Sequence, residues 1–75
     1  MPHIEVKLLK GKNQEQKETL CAALIEAAQS IIGYGDESYS VSIEDFSLND
    51  WKNTIYPNDI IGKKDILFKQ PGYKM

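Results

Sequence analysis

Pro2-His3-Ile4-Glu5-Val6-Lys7-Leu8-Leu9 opens the stretch that, read through to Ile43, decides the fold. Ile4, Val6 and Leu8 alternate with His3, Glu5 and Lys7, the period-2 pattern of a half-buried strand. Lys10-Gly11-Lys12 breaks the alternation. Asn13, followed three residues later by Gln16, has the form of a capping box and predicts a helix from about residue 14. Leu20, Leu24, Ala27 and Ile31 recur at helical spacing while Gln16, Lys17, Glu26 and Gln29 fill much of the remainder, so the helix is amphipathic. Gly33 supplies its terminator. Tyr39, Val41 and Ile43 then alternate with Ser40, Ser42 and Glu44, giving a second strand over residues 38–46. A helix of about 19 residues spans about 28 Å, close to the length of an eight-residue strand, and can return the chain for parallel pairing. A right-handed β-α-β crossover follows.

Beyond the second strand, residues 47–53 read as loop around Trp51. Pro57 reads as the opening of a shorter C-terminal helix carrying Ile60, Ile61, Ile66, Leu67 and Phe68, stopped by Pro71-Gly72. The fold class is therefore α/β, as one domain over residues 1–75. Size scaling buries only about 62% of the unfolded surface of an 8.5 kDa monomer. Cys21 is the only cysteine, and with one histidine the chain cannot assemble a usual four-ligand zinc site, so neither a disulfide nor a metal staples the fold. Two parallel strands also leave edges open. Both arguments predict a homo-oligomer, in which a dimer completes a four-stranded sheet.

A net charge of −2, with no basic cluster larger than Lys63-Lys64, gives no electrostatic pull toward nucleic acid. No apolar run approaches membrane-spanning length, and charges at Glu5, Lys7 and Lys10 leave no room for a signal peptide's apolar segment. A cytoplasmic chain with no membrane partner is the expectation. All nine basic residues are lysine; none is arginine.

Several residues invite a chemical reading that their context does not support. His3 lies on the strand face opposite Ile4 and Val6 and reads as a surface or interface residue. Cys21 has no basic neighbour to activate it and reads as a small core filler. Glu44 and Asp45 point to opposite faces of a strand and cannot act as a pair; both read as solvated or interfacial. Gly33 and Gly35 lack the third glycine and the strand-to-helix setting of a phosphate-binding turn. Pro2 differs in kind. A small second residue permits removal of Met1, and a free N-terminal proline is a secondary amine. An α-amino group titrates near 7.7–8.0, roughly, so it can accept and return a proton close to neutral pH. By position alone the structural reading is the stronger, because proline is tolerated as the first residue of a strand, and composition does not decide its role.

The opening Pro2-His3-Ile4-Glu5-Val6-Lys7-Leu8, the segment Gly11-Lys12-Asn13-Gln14-Glu15-Gln16-Lys17-Glu18-Thr19-Leu20 and the aromatic Trp51 together resemble the 4-oxalocrotonate tautomerase family. The ending Lys69-Gln70-Pro71-Gly72-Tyr73 resembles its short dimeric PptA-like subgroup. The resemblance covers nearly the whole chain. It implies a cofactor-free and metal-free enzyme in which Pro2 is the catalytic group, shuttling a proton between enol and keto forms of a small 2-hydroxydienoate or enolpyruvate. By the same likeness Lys12 stands where founding members carry an arginine for the substrate carboxylate, Trp51 replaces a pocket-lining phenylalanine, and Ser40 falls where they carry a second arginine. Lys12, Trp51 and Ser40 are thus the implied substrate-binding residues. Lys12 also fits a solvated turn cation, and Trp51 a core or interface anchor. A lysine lacks the bidentate fork of an arginine, so the resemblance points to monocarboxylates in preference to a diacid. The alternative is a non-catalytic α/β dimeric binding module in which the proline is incidental.

Overall fold

In the computed structural model, which describes residues 1–75, the first alternating stretch forms strand β1, His3–Leu9. Ile4, Val6 and Leu8 are half-buried while His3 and Glu5 are exposed, as their alternation requires. The turn that follows uses Gly11 at φ 128°, a left-handed value that only glycine adopts without strain. Helix α1 runs Gln14–Ile32. Its N-terminus is closed by the capping box read from the sequence. The Asn13 side chain accepts the Gln16 backbone N–H at 2.8 Å, and the Asn13 N–H donates to Gln16 Oε1 at 3.0 Å. Gly33 ends the helix at φ 84°, its N–H donating to the Gln29 carbonyl, and Tyr34 follows at φ 67°. The Tyr39 hydroxyl then donates to the Gly33 carbonyl at 2.7 Å and fastens the helix exit to the approach of the next strand.

Strand β2, Ser40–Phe46, pairs with β1 as a two-stranded parallel sheet. The register is visible at the strand beginnings. The Ser40 N–H donates to the Pro2 carbonyl at 3.2 Å, and the Ser40 hydroxyl lies 2.7 Å from His3 Nδ1. The start of β2 therefore lies beside the start of β1, which makes the connection a crossover and α1 its return path. Residues 38 and 39, expected as strand, instead belong to the approach: a 3₁₀ turn occupies Asp36–Ser38.

Contacts divide the chain into two compact units, Met1–Asp45 and Phe46–Met75. The second unit departs from the sequence reading. Residues 47–53 are not loop. Ser47 is a helix N-cap, its hydroxyl accepting the Asp50 N–H at 3.1 Å, and a first α-turn, α2, spans Leu48–Asp50. The helix continues with π spacing over Trp51–Ile60 and closes as a 3₁₀ segment over Ile61–Ile66. Pro57 lies inside this helix and does not open it. Proline brings no N–H, and its ring collides with the carbonyl four residues back in an α-turn. Widening the turn by one residue removes that collision. The Ile61 N–H is shared between the Pro57 and Tyr56 carbonyls, marking the return from five-residue to four-residue spacing. The helix also stops at Ile66, before Pro71-Gly72, because Lys63 already has non-helical angles of φ −121° and ψ 36° and Leu67 is extended.

Ile55 is the only buried residue of the chain, at 4% exposure. No residue of α1 is buried, and Ile31 at its end is 81% exposed. The expected effect of Asn13→Ala, which removes one half of the capping box, is a loss of about 1 kcal/mol in unfolding free energy. Urea denaturation at one fixed protein concentration reads it, and an unchanged midpoint would show that the cap carries no stability.

Candidate active site

Pro2 immediately precedes β1 and is half-buried; Met1 before it is fully exposed. Two side chains meet at this end of the sheet. His3 and Ser40 are the first residues of their strands and project to the same face, so parallel pairing sets them side by side at 2.7 Å. Glu5 lies two residues along that face, with Oε1 3.8 Å from His3 Nε2. Ser40 thus holds Pro2 through its backbone N–H and His3 through its hydroxyl. The structure brings together two of the residues expected at the site, Pro2 and Ser40, and adds His3. The sequence reading placed His3 on the outer face but gave it no partner. The signal was available, since both residues begin strands that a crossover pairs in parallel.

Lys12 lies elsewhere. Seven residues of β1 at about 3.3 Å each separate the Pro2 end from the Lys12 end by about 23 Å. One small enol acid cannot touch both residues of the same chain. Lys12 lines a cleft of about 240 Å³ between the end of β1 and the first turns of α1, with Leu8, Gln16, Lys17 and Leu20. Lys12 is exposed at its rim. In the same unit the Lys17 ammonium meets the Asp45 carboxylate at 2.5 Å, and their side chains are only 23% and 33% exposed. Asp45 is therefore an intrachain ion-pair partner, where the sequence reading had it solvated or interfacial. The pair spans 28 residues and rests on the crossover packing α1 against β2, so no local pattern announces it. Cys21 is half-buried on α1.

Trp51 belongs to the second unit. Its Nε1–H donates to the Tyr73 hydroxyl at 3.0 Å, and its ring meets Phe46 edge-on with centroids 6.4 Å apart. Tyr56 stands 5.8 Å from Tyr73. With its single N–H satisfied inside the unit, the indole offers only apolar surface to anything else. No helix of the structure is long and apolar enough to cross a membrane.

The family model described as "Tautomerase enzyme" matches residues 2–52. A Xylella fastidiosa (strain 9a5c) protein named "Probable tautomerase" is 36% identical over 73 residues, covering 97% of this chain and 89% of its own length. Tautomerase PptA of Enterobacter sp. (strain 638) is 36% identical over 76 residues and is covered, like this chain, over 100% of its length. Among solved structures, YwhB, a homologue of 4-oxalocrotonate tautomerase, aligns with a TM-score of 0.59 at 35% identity, covering 61% of this chain and 75% of that one. SAR1376 from methicillin-resistant Staphylococcus aureus aligns with a TM-score of 0.62 at 31% identity, covering 64% and 77%. The β-α-β fold and these likenesses agree: the chain belongs to the tautomerase family. It is an isomerase of the tautomerase type, acting on a small molecule, and the non-catalytic alternative is set aside.

The Trp51–Tyr73 bond gives the second unit a measurable anchor. Tyr73→Phe keeps the ring and removes the acceptor, and because Tyr73 is 44% exposed, water can replace it in part. The expected outcome is a loss of no more than about 1 kcal/mol, with a red shift of Trp51 fluorescence as the indole N–H turns to solvent. An unshifted emission spectrum would show that the indole does not depend on Tyr73.

Proposed function

We propose that residues 1–75 act as one tautomerase domain interconverting enol and keto forms of small 2-keto acids, with the Pro2 amine as general acid and base once Met1 is removed. The observation that carries this reading is the setting of Pro2. It stands at the tip of β1 with its carbonyl held by the Ser40 N–H, behind a methionine exposed over its whole surface. A removable residue in front of a fixed one is what a proline base requires. While Met1 is attached, the Pro2 nitrogen is a peptide nitrogen without a basic lone pair; removal turns it into a secondary amine.

In the reaction the amine accepts the hydroxyl proton of the enol as the C=O bond forms, and the resulting ammonium gives a proton to carbon at the far end of the enol or dienol. The proton count closes, and the amine ends as it began. Ser40, with its hydroxyl on His3, is the polar group beside Pro2 where founding members carry an arginine; a hydroxyl orients a keto oxygen but brings no charge of its own. Lys12 receives the substrate carboxylate as a point charge without the fork of an arginine. Trp51 supplies apolar wall for the remainder of the substrate. The substrate class that fits one free cation and an apolar wall is the monocarboxylate: phenylenolpyruvate or a 2-hydroxy-2,4-pentadienoate in preference to 2-hydroxymuconate.

Because Pro2 and Lys12 lie at opposite ends of β1, the substrate that uses both is held between two copies of the chain. A homodimer, preferred here over a hexamer, joins two-stranded sheets into one of four strands and covers apolar side chains such as Ile31 and Ile32, which are 81% and 56% exposed. Static light scattering at micromolar concentration is expected to give twice the 8.5 kDa chain mass; an active monomer contradicts the shared site.

For the proline itself, Pro2→Ala is expected to lower kcat/KM for enol-to-keto conversion by at least about 10²-fold, the low end for loss of a positioned acid-base group. Protein retaining Met1, identified by mass spectrometry, is expected to be silent until trimmed. Equal turnover before and after trimming would refute the amine as the base.

A further inference from the structure

The cleft that holds Lys12 is lined by two lysines of unequal standing. Lys12 and Lys17 both line it, with Leu8 and Leu20 as its apolar lining and Gln16 between them in sequence. Lys17 is engaged by the Asp45 carboxylate at 2.5 Å, and both side chains are largely withdrawn from water, which strengthens the pairing. Lys12 is exposed and takes part in none of the ion pairs of the first unit. The cleft therefore carries two cations but only one uncompensated charge. A first carboxylate entering it finds Lys12. A second would find the Lys17 charge already neutralised and the Asp45 oxygens repelling it.

We propose that Asp45 is a specificity-determining residue: by neutralising Lys17 it restricts the cleft to substrates with one carboxylate. This rests on the reading of Lys12 as the carboxylate-binding residue, and it moves the origin of the monoacid preference. The absence of arginine limits the geometry of binding. Asp45 limits the number of charges, because a lysine stands ready in the cleft and is held out of use. The segment that supplies the carboxylate is β2, so the restriction is built into the sheet and not into the turn that carries Lys12.

The test is a gain of function. Asp45→Asn keeps the size of the side chain, and Asp45→Thr offers a second replacement suited to a strand. Each frees Lys17 for one additional charge-assisted hydrogen bond, so the ratio of kcat/KM for 2-hydroxymuconate to that for phenylenolpyruvate is expected to rise about tenfold, chiefly through the diacid KM. An unchanged ratio in both folded variants overturns the proposal. Titration of isotopically labelled wild-type protein with butyrate and with succinate, followed by NMR, separates this proposal from the functional reading and needs neither variant to fold. Both acids are expected to shift the Lys12 signals and leave the Lys17 signals in place. Succinate shifting Lys17 together with Lys12 overturns the restriction. A wild type that turns over neither enol acid, yet shows the expected titration, leaves the Asp45 restriction standing while the tautomerase site falls.

Discussion

Everything in the first unit depends on the parallel register of β1 and β2, fixed where the Ser40 N–H meets the Pro2 carbonyl. A parallel pair demands that the chain travel back the full length of the sheet between strands, and α1 is the element that does so. Its 19 residues span about 28 Å, enough to cover a seven-residue strand and its turns. That one register places His3 on Ser40 at one end of the sheet and lets α1 bring Lys17 to Asp45 at the other. A slip of one residue would turn Ser40 away from His3 and set Asp45 on the wrong face. The contents of both ends of the sheet are thus tied to a single pairing.

The same geometry gives the protomer two poles with different chemistry. The Pro2 pole is polar and assembled from strand beginnings. The Lys12 pole is cationic, backed by leucines, and built from a strand end and a helix entrance. Neither pole alone carries both Pro2 and Lys12, and the distance between them is the reason the proposed site calls for a second copy of the chain. The absence of any buried residue in α1 belongs with this picture. Its apolar stripe covers the sheet only in part and keeps apolar surface in reserve.

The β-α-β half was legible in the sequence because each of its signals is local. Alternation marks β1, Asn13 and Gln16 mark the start of α1, and Gly33 marks its end; all three act within a few residues. The second half departs from its sequence pattern for a physical reason. Proline's commonest helical position is the first turn, and on that rule Pro57 opens a helix and the residues before it read as loop. Ser47, three residues before Asp50, carried the opposing cap signal. A proline accommodated by a widened turn has no sequence signature of its own. The candidate residues that the sequence could name lie at chain landmarks: Pro2 before the first strand, Lys12 at the turn. The Lys17–Asp45 pair was not, because it depends on tertiary packing across the crossover. Nor was the Trp51–Tyr73 bond, which rests on where the final segment of the chain lies.

That widened turn also decides which aromatic rings can meet. Along an ordinary α-helix, residues five apart point about 140° away from one another, so Trp51 and Tyr56 would look in different directions. With five-residue hydrogen bonding over Trp51–Ile60 the two come round to a common side, and both reach Tyr73, one by a hydrogen bond and one ring to ring. The missing N–H of Pro57 is in this sense a torsional instruction. It underwinds the helix by enough to turn two rings into a clip for the end of the polypeptide, and the bearing of the indole is written six residues downstream of it.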